Sequence, residues 1–271
     1  MNITIQSLTH RYNSQVTALQ DVDLLIESGE SVAIIGENGA GKTTLVKHLN
    51  GLLKPTDGNV LIGEHNTNDQ TPAALAHFVG YAFQNPDQQI FASKVAEEVQ
   101  FGPRNLGYSP DQISKFTRRA LSAVGLEDQQ HNHPYDLHPA DRKLLTLASV
   151  LAMQTPIIVF DEPTTGQDAS HINQIGSIIT DLHSSGRTVI TISHDLDFCA
   201  SYFDRVIVLR KGMKIGDGMV EEVLKETQLL ATAAVTPPQL VRLSQSLGLQ
   251  LMPRTPEEFL AGYTAYQENT N

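Results

Sequence analysis

The chain has 271 residues, enough to bury a substantial core within one or two domains. Hydrophobic residues make up 40% of it and charged residues 18%, an ordinary globular balance, and no apolar run approaches the ~20 residues that a membrane-spanning helix needs. A formal net charge of −11 argues against a general nucleic-acid binder, whose phosphate contacts need concentrated Lys and Arg. Cys199 is the only cysteine, so no intrachain disulfide forms; a small buried hydrophobe in a reducing compartment suits it. The first residues, Met1-Asn2-Ile3-Thr4-Ile5-Gln6, lack a basic stretch followed by an apolar signal core, and a cytoplasmic protein is expected.

Along the chain, residues 2–35 carry short, partly alternating apolar segments such as Ile3-Thr4-Ile5 and Ala18–Leu24. With a turn at Ser28-Gly29-Glu30 these read as strands, and Asn59-Val60-Leu61-Ile62-Gly63 continues the β character. Residues 86–152 read as mostly helical, punctuated by Pro103, Pro110, Pro134 and Pro139. Residues 156–220 return to β-branched runs: Ile157–Phe160, Thr188–Ile192 and Arg205–Leu209. Continuous apolar runs separated by helical segments suit a parallel sheet covered on both faces. From about residue 221 the pattern is helical again, broken by Pro237-Pro238, and it ends in the polar stretch from Gln267 to Asn271. No internal repeat or low-complexity tract is present.

Gly36-Glu37-Asn38-Gly39-Ala40-Gly41-Lys42-Thr43 fits the phosphate-binding pattern GxxxxGK[ST] at every fixed position. The apolar run Val32–Ile35 precedes it and the helix-compatible Thr44–Leu49 follows, the strand–loop–helix context that gives the pattern meaning. Glycines let backbone N–H groups converge on phosphate oxygens, and the positive end of the following helix adds to the attraction. Lys42 is placed to reach the β- and γ-phosphates, and the Thr43 hydroxyl to ligate Mg²⁺. A glycine-rich turn with an incidental lysine is the bland alternative, and the complete spacing disfavours it.

Ile157-Ile158-Val159-Phe160-Asp161-Glu162 is an apolar strand ending in two acids. In phosphate-loop proteins an acid at this point emerges beside the loop, so Asp161 suits Mg²⁺ and Glu162 suits a water-orienting role. His194 follows the strand run 188–193 and is placed to donate to a γ-phosphate. Gln84 follows Val79–Phe83, also at a strand end, where its amide suits Mg²⁺ or water.

Taken together, over roughly residues 2–235 and in the same order, these motifs resemble the ATP-binding-cassette ATPases. The resemblance implies an α/β fold: a RecA-like core with an antiparallel β subdomain and a helical subdomain at about 86–152. It implies an ATPase domain over 1–220 and a C-terminal helical extension over 221–271. Gly36–Thr43 then matches the Walker A loop, with Gly36, Asn38, Gly39, Ala40, Gly41, Lys42, Thr43 and Thr44 as nucleotide-binding residues. Gln84 matches the Q-loop residue, Asp161-Glu162 the Walker B pair, Thr165–Asp168 the D-loop, His194 the switch histidine, and Tyr12 the adenine-stacking aromatic. ATP and Mg²⁺ are the implied ligands. Phe83-Gln84-Asn85-Pro86-Asp87-Gln88-Gln89-Ile90-Phe91 and Glu97–Pro103 further resemble ATPases of energy-coupling-factor importers, which take up vitamins and cobalt or nickel ions. In such importers two ATPases lie under a membrane coupling protein, facing it through the region Gln84–Phe101. The coupling protein joins a substrate-capturing membrane subunit. A peripheral place on the cytoplasmic face of the membrane is thereby implied, with no nucleic-acid partner.

The sequence departs from the family at the signature Leu-Ser-Gly-Gly-Gln, where it has Leu137-His138-Pro139-Ala140-Asp141. Pro139 has no N–H to offer a phosphate, His138 replaces a hydroxyl, and Asp141 adds negative charge. A like-charge contact near 4 Å costs about 1 kcal/mol in water and roughly 4 at an effective dielectric of 20. Pro139 and Asp141 nevertheless suit a first helical turn, so the following helix is expected to persist. An asymmetric heterodimer with an intact signature on the partner is the favoured arrangement, a homodimer remaining open. A regulatory subunit with little hydrolysis and a soluble non-transport cassette are the competing classes. Leu240, Leu243 and Leu247 make an apolar helical stripe, read first as packing on the chain's own core and second as an ATPase–ATPase contact.

Overall fold

The computed structural model describes residues 1–270 except Gln250 and Met252, with the backbone alone for 268–270. Three strands open the chain: β1 (Ile3–Arg11), β2 (Thr17–Ile26) and β3 (Ser31–Ile35). The phosphate loop then leads into α1 (Lys42–Leu49), followed by β4 (Asp57–Ile62), β5 (His65–Asn66), α2 (Pro72–Leu75) and β6 (Val79–Ala82). Antiparallel pairing orders one sheet β2-β1-β4-β5.

A second sheet carries the site. With β7 (Ile157–Asp161), β8 (Thr188–Ile192), β9 (Arg205–Arg210) and β10 (Met213–Met219), its order is β10-β9-β3-β8-β7-β6. Five strands, from β9 to the β6 edge, run parallel, while β10 returns antiparallel along β9. Every residue of β3, β7 and β8 is buried, and alternate side chains enter different cores. Val32, Ile34, Ile157 and Val159 face α1 and the antiparallel sheet; Ala33, Ile35, Ile158 and Phe160 face the helices on the other side. The β10 strand was not legible beforehand, because Met213-Lys214-Ile215-Gly216-Asp217-Gly218-Met219 buries no residue fully and carries two glycines.

The helical region contains α3 (Val95–Asn105), α4 (Pro110–Ala123) and α5 (Pro139–Ala152). Pro110 and Pro139 occupy the first turns of α4 and α5, and Pro134 opens a short 3₁₀ turn. Pro103 breaks the expected pattern: it lies within the last turn of α3 rather than ending it. There its missing N–H forfeits one bond near the helix end, and Leu106 N–H already closes on the Gly102 carbonyl.

Beyond β7 come α6 (Ala169–Ser184), α7 (Leu196–Tyr202), α8 (Val220–Val223), α9 (Thr227–Thr232), α10 (Gln239–Ser246) and α11 (Pro256–Thr270). Val220, Val223, Leu224, Leu230 and Ala233 pack into the larger core, so the start of this tail is built into the main body. The polar end continues α11 to Thr270, and Asn271 lies outside the described residues. Packing of the leucine stripe on the chain's own core fails at two of its three residues, Leu240 alone being half-buried. The buried face of α10 is Val241 and Ser244, while Leu243 and Leu247 stay 43% and 47% exposed. Among the described residues, no helix is long and apolar enough to cross a membrane.

Candidate functional site

The phosphate loop sits where β3 ends and α1 begins. Its shape is held from outside. A Cβ on Gly36 would lie 2.1 Å from the Leu209 carbonyl oxygen, and one on Gly41 would lie 2.6 Å from that of Ala18. Gly212 N–H donates to the Ala40 carbonyl, and the Gly212 carbonyl in turn accepts from Gln20 N–H. Strand β2 and the β9–β10 turn therefore clamp the loop. Lys42 is 6% exposed, and its ammonium donates to the Gly36 and Glu37 carbonyls at 2.7 and 3.0 Å. Burial pulls its pKa below the usual lysine range, against the opposing fields of Glu162, Asp161 and Glu37.

At the end of β7 the two acids diverge. Asp161, 2% exposed, accepts from the Tyr81 hydroxyl at Oδ2 (2.7 Å) and from the Thr43 hydroxyl at Oδ1 (3.4 Å). Burial first, and then the Asp161 charge, pushes the Tyr81 phenol far above its ordinary pKa. Glu162 adopts a left-handed backbone at φ 50°, with its N–H on the Ile192 carbonyl of β8. For a residue with a Cβ this conformation costs about 1–2 kcal/mol. It aims the carboxylate across the strand ends, where Oε2 lies 2.7 Å from His194 Nδ1. The histidine ring remains 62% exposed, whereas the Glu162 side chain is 7% exposed.

Two adjoining cavities of about 400 and 410 Å³ share Asn38, Gln84 and Glu162 as walls. The first is also lined by Tyr12, Gly39, Gly41, Lys42, Thr43 and Thr44, and the second by Gly36, His194 and Thr236. Tyr12 stands 55% exposed at the rim, with its hydroxyl 3.1 Å from Thr44 Oγ1. Asp161 lies behind the first cavity, touching it through Thr43. Ala40 is turned into the core, and its N–H is taken by the Glu37 carbonyl. The paired oxygens of Thr43 and Asp161 are hard donors, the chemistry Mg²⁺ prefers. Among the described residues no group of three or more His, Cys, Asp or Glu gathers to hold a metal.

Three participants escaped sequence reasoning. Tyr81 read only as a strand aromatic, and Thr236 lies far along the chain. Lys143 is 3% exposed and donates to the carbonyls of Phe83, Gln84 and Asp161 at 2.9, 2.8 and 3.1 Å. Burial draws its pKa down to about 8, although Asp161 and Glu162 oppose that shift. A lone lysine entering the apolar run Leu144-Leu145 was the available signal.

The expected helix after the altered signature is present as α5. His138 caps it, with Nδ1 accepting from the Ala140 N–H at 3.3 Å. Asp141 lies against α6, its Oδ1 3.9 Å from His171 Nε2, and Gln167 Nε2 donates to the Ala140 carbonyl.

The ABC transporter family model matches residues 19–165. The energy-coupling factor transporter ATP-binding protein EcfA of Methanoculleus marisnigri is 37% identical over 243 residues, covering 89% of this chain and 88% of that protein. The solved structure of cbiO1 from Clostridium perfringens, part of the cbiONQ transporter complex, superposes with a TM-score of 0.75 at 30% identity, covering 91% of this chain and 98% of that one. A dimeric ATP-binding cassette in a post-hydrolysis state with ADP and Pi superposes with a TM-score of 0.74 at 26% identity, covering 80% and 98%. The chain spans only 40% to 43% of the length of three other relatives, ABC transporter ATP-binding proteins of Methanosarcina acetivorans, Caldanaerobacter subterraneus and Methanosarcina mazei. With a phosphate loop, strand-end acids and histidine converging on one cleft of this fold, the chain belongs to the ABC transporter family of ATPases, and its likeness lies with cassettes of the energy-coupling-factor type.

Proposed function

We propose that this chain binds and hydrolyses ATP to drive an energy-coupling-factor importer for a vitamin or transition-metal ion. The observation that carries the reading is the 2.7 Å contact between Glu162 and His194, with Glu162 lining the same cavity as Lys42 and Thr43, whose hydroxyl reaches Asp161. Tyr12 would stack on adenine, the loop from Gly36 to Thr44 would hold the phosphates, and Lys42 would stabilise charge developing on the γ-phosphoryl oxygens. Mg²⁺, when bound through Thr43, Asp161 and Gln84, supplies further charge neutralisation there. Glu162 would accept a hydrogen bond from the attacking water and orient it in line, and His194 would donate to the γ-phosphate.

The chain would work as an ATPase dimer on the cytoplasmic face of the membrane, beneath a coupling protein that joins a substrate-capturing subunit. Phe91 and Phe101, 62% and 49% exposed, pack edge to face at 4.6 Å on the segment assigned to that docking. An exposed aromatic pair beside the Gln84 loop suits an apolar partner helix. A heterodimer is favoured. Pro139 offers no N–H and the Ala140 N–H is taken by the capping His138 Nδ1, so the backbone of this chain's own signature segment has few free donors for a partner's γ-phosphate.

The test is ATP turnover by the purified chain alone, and then mixed with a second cassette and the coupling protein. Turnover confined to the mixture, and reduced about 100-fold or more by Glu162→Gln in this chain while ATP binding persists, is the expected result. Turnover by the isolated chain at the rate of the full complex would refute the heterodimer. Turnover in the mixture that survives Glu162→Gln would make this chain a regulatory half.

A further inference from the structure

Lys143 has no place in the chemistry above, yet it is among the most buried charges of the molecule. It stands one turn into α5, five residues after the capping His138. Its three ammonium hydrogens meet three backbone carbonyls, those of Phe83, Gln84 and Asp161, within 3.1 Å. None of these acceptors is a carboxylate. Taking an ammonium out of water without a direct counter-ion is costly, and an apolar residue would fill a helix face with less penalty. What the charge achieves is geometric. Phe83 and Gln84 belong to the loop after β6, Asp161 ends β7, and Lys143 belongs to the helix that begins with the altered signature. One side chain thus ties three segments at the point where they meet the cleft.

We propose that Lys143 is a positioning residue: it fixes the backbones of Gln84 and Asp161 relative to each other and to α5, so that both side chains face one metal–phosphate position. The inference rests on the roles proposed above for Gln84 and Asp161. It makes the helical region a partner in assembling the site. A shift of α5 pulls on the Gln84 carbonyl and the end of β7, because one buried ammonium bonds to both.

The experiment compares Lys143→Gln and Lys143→Met with the unmodified full chain, and runs Asp161→Asn beside them. Binding of trinitrophenyl-ATP is followed by fluorescence while Mg²⁺ is titrated, melting is recorded for each protein, and turnover is measured in the reconstituted complex. Lys143→Gln keeps two N–H donors and no charge, and its melting curve shows that the protein compared is folded. The expected result is metal-free nucleotide binding within about twofold of the unmodified chain, a Mg²⁺ half-saturation raised about tenfold, and kcat lowered by a similar factor with KM for ATP nearly unchanged. A Lys143→Gln protein that melts earlier but keeps its Mg²⁺ half-saturation and kcat would overturn the proposal, leaving Lys143 a packing residue. If Asp161→Asn also leaves the Mg²⁺ half-saturation unmoved, the metal site itself is misassigned and the proposal falls with it. A shift in Asp161→Asn alone refutes only Lys143.

Discussion

Replacing Tyr81 with Phe deletes one hydroxyl and leaves the ring in place. That hydroxyl supplies the short hydrogen bond to the Asp161 carboxylate, 2.7 Å against 3.4 Å for Thr43. Both partners are buried, at 7% and 2% exposure, so no bulk water replaces the lost donor. With its pKa pushed upward, the phenol remains a donor throughout the physiological range. A hydrogen bond to a charged group contributes about 1.5–3 kcal/mol. The edge-to-face contact of Tyr81 with Phe83, at 4.8 Å, survives the change. A stability loss of about 2 kcal/mol therefore follows, or roughly 4–8 °C in melting temperature at 2–4 °C per kcal/mol. The freed carboxylate also loses its fixed orientation, so the Mg²⁺ half-saturation for nucleotide binding should rise about tenfold. Because a tenfold weaker site stabilises the folded variant by about 1.4 kcal/mol less at saturation, the stability deficit should widen when Mg²⁺ and ATP are saturating. Melting scans with and without both ligands, together with a Mg²⁺ titration, read all three effects. A Tyr81→Phe protein that melts within about 1 °C of the unmodified chain, or whose deficit is the same with ligands bound, would refute the reasoning.

Two further outcomes are open to simple measurement. His48 is fully buried, with Nδ1 at 2.7 Å from the Thr44 carbonyl, and burial lowers its pKa from 6.5 to about 4. The unfolded chain therefore binds a proton in that window that the folded chain refuses. Stability is complete above pH 6.5 and falls by about 3 kcal/mol as the pH drops toward 4, and His48→Gln should flatten that part of the melting profile. Leu243→Ser and Leu247→Ser should each change stability by less than about 0.5 kcal/mol in a denaturant titration. A loss of about 2–5 kcal/mol would place those side chains in the core after all.

The contiguous motifs were legible because their chemistry is local. Gly36 to Thr43 needs its glycines and lysine at fixed spacing, and Asp161 and Glu162 stand together at the end of one apolar run. The continuous runs 157–160 and 188–192 likewise announced a sheet buried on both faces. Tyr81 and Lys143 were hidden for the opposite reason. Their partners lie 80 and 18 residues from them in the case of Asp161, and about 60 residues away in the case of Phe83 and Gln84 for Lys143. No spacing rule links such positions. The leucine stripe of α10 misled because periodicity identifies a helix's apolar face without naming what covers it; here Val241 and Ser244 take the covered side. The left-handed Glu162 could not have been foreseen, since nothing in an Asp-Glu pair marks which residue leaves the strand geometry.

The clamp around the phosphate loop has a thermodynamic consequence. Because Ala18, Leu209 and Gly212 crowd the loop from behind, its glycines are fixed in shape by neighbouring backbone rather than by whatever enters the cleft. The ordering entropy of this segment is charged to folding, and an incoming polyphosphate meets donors that already converge. Affinity at the loop then reflects the contacts formed, with little reorganisation to subtract, and slow ordering of the loop does not limit the arrival of ligand.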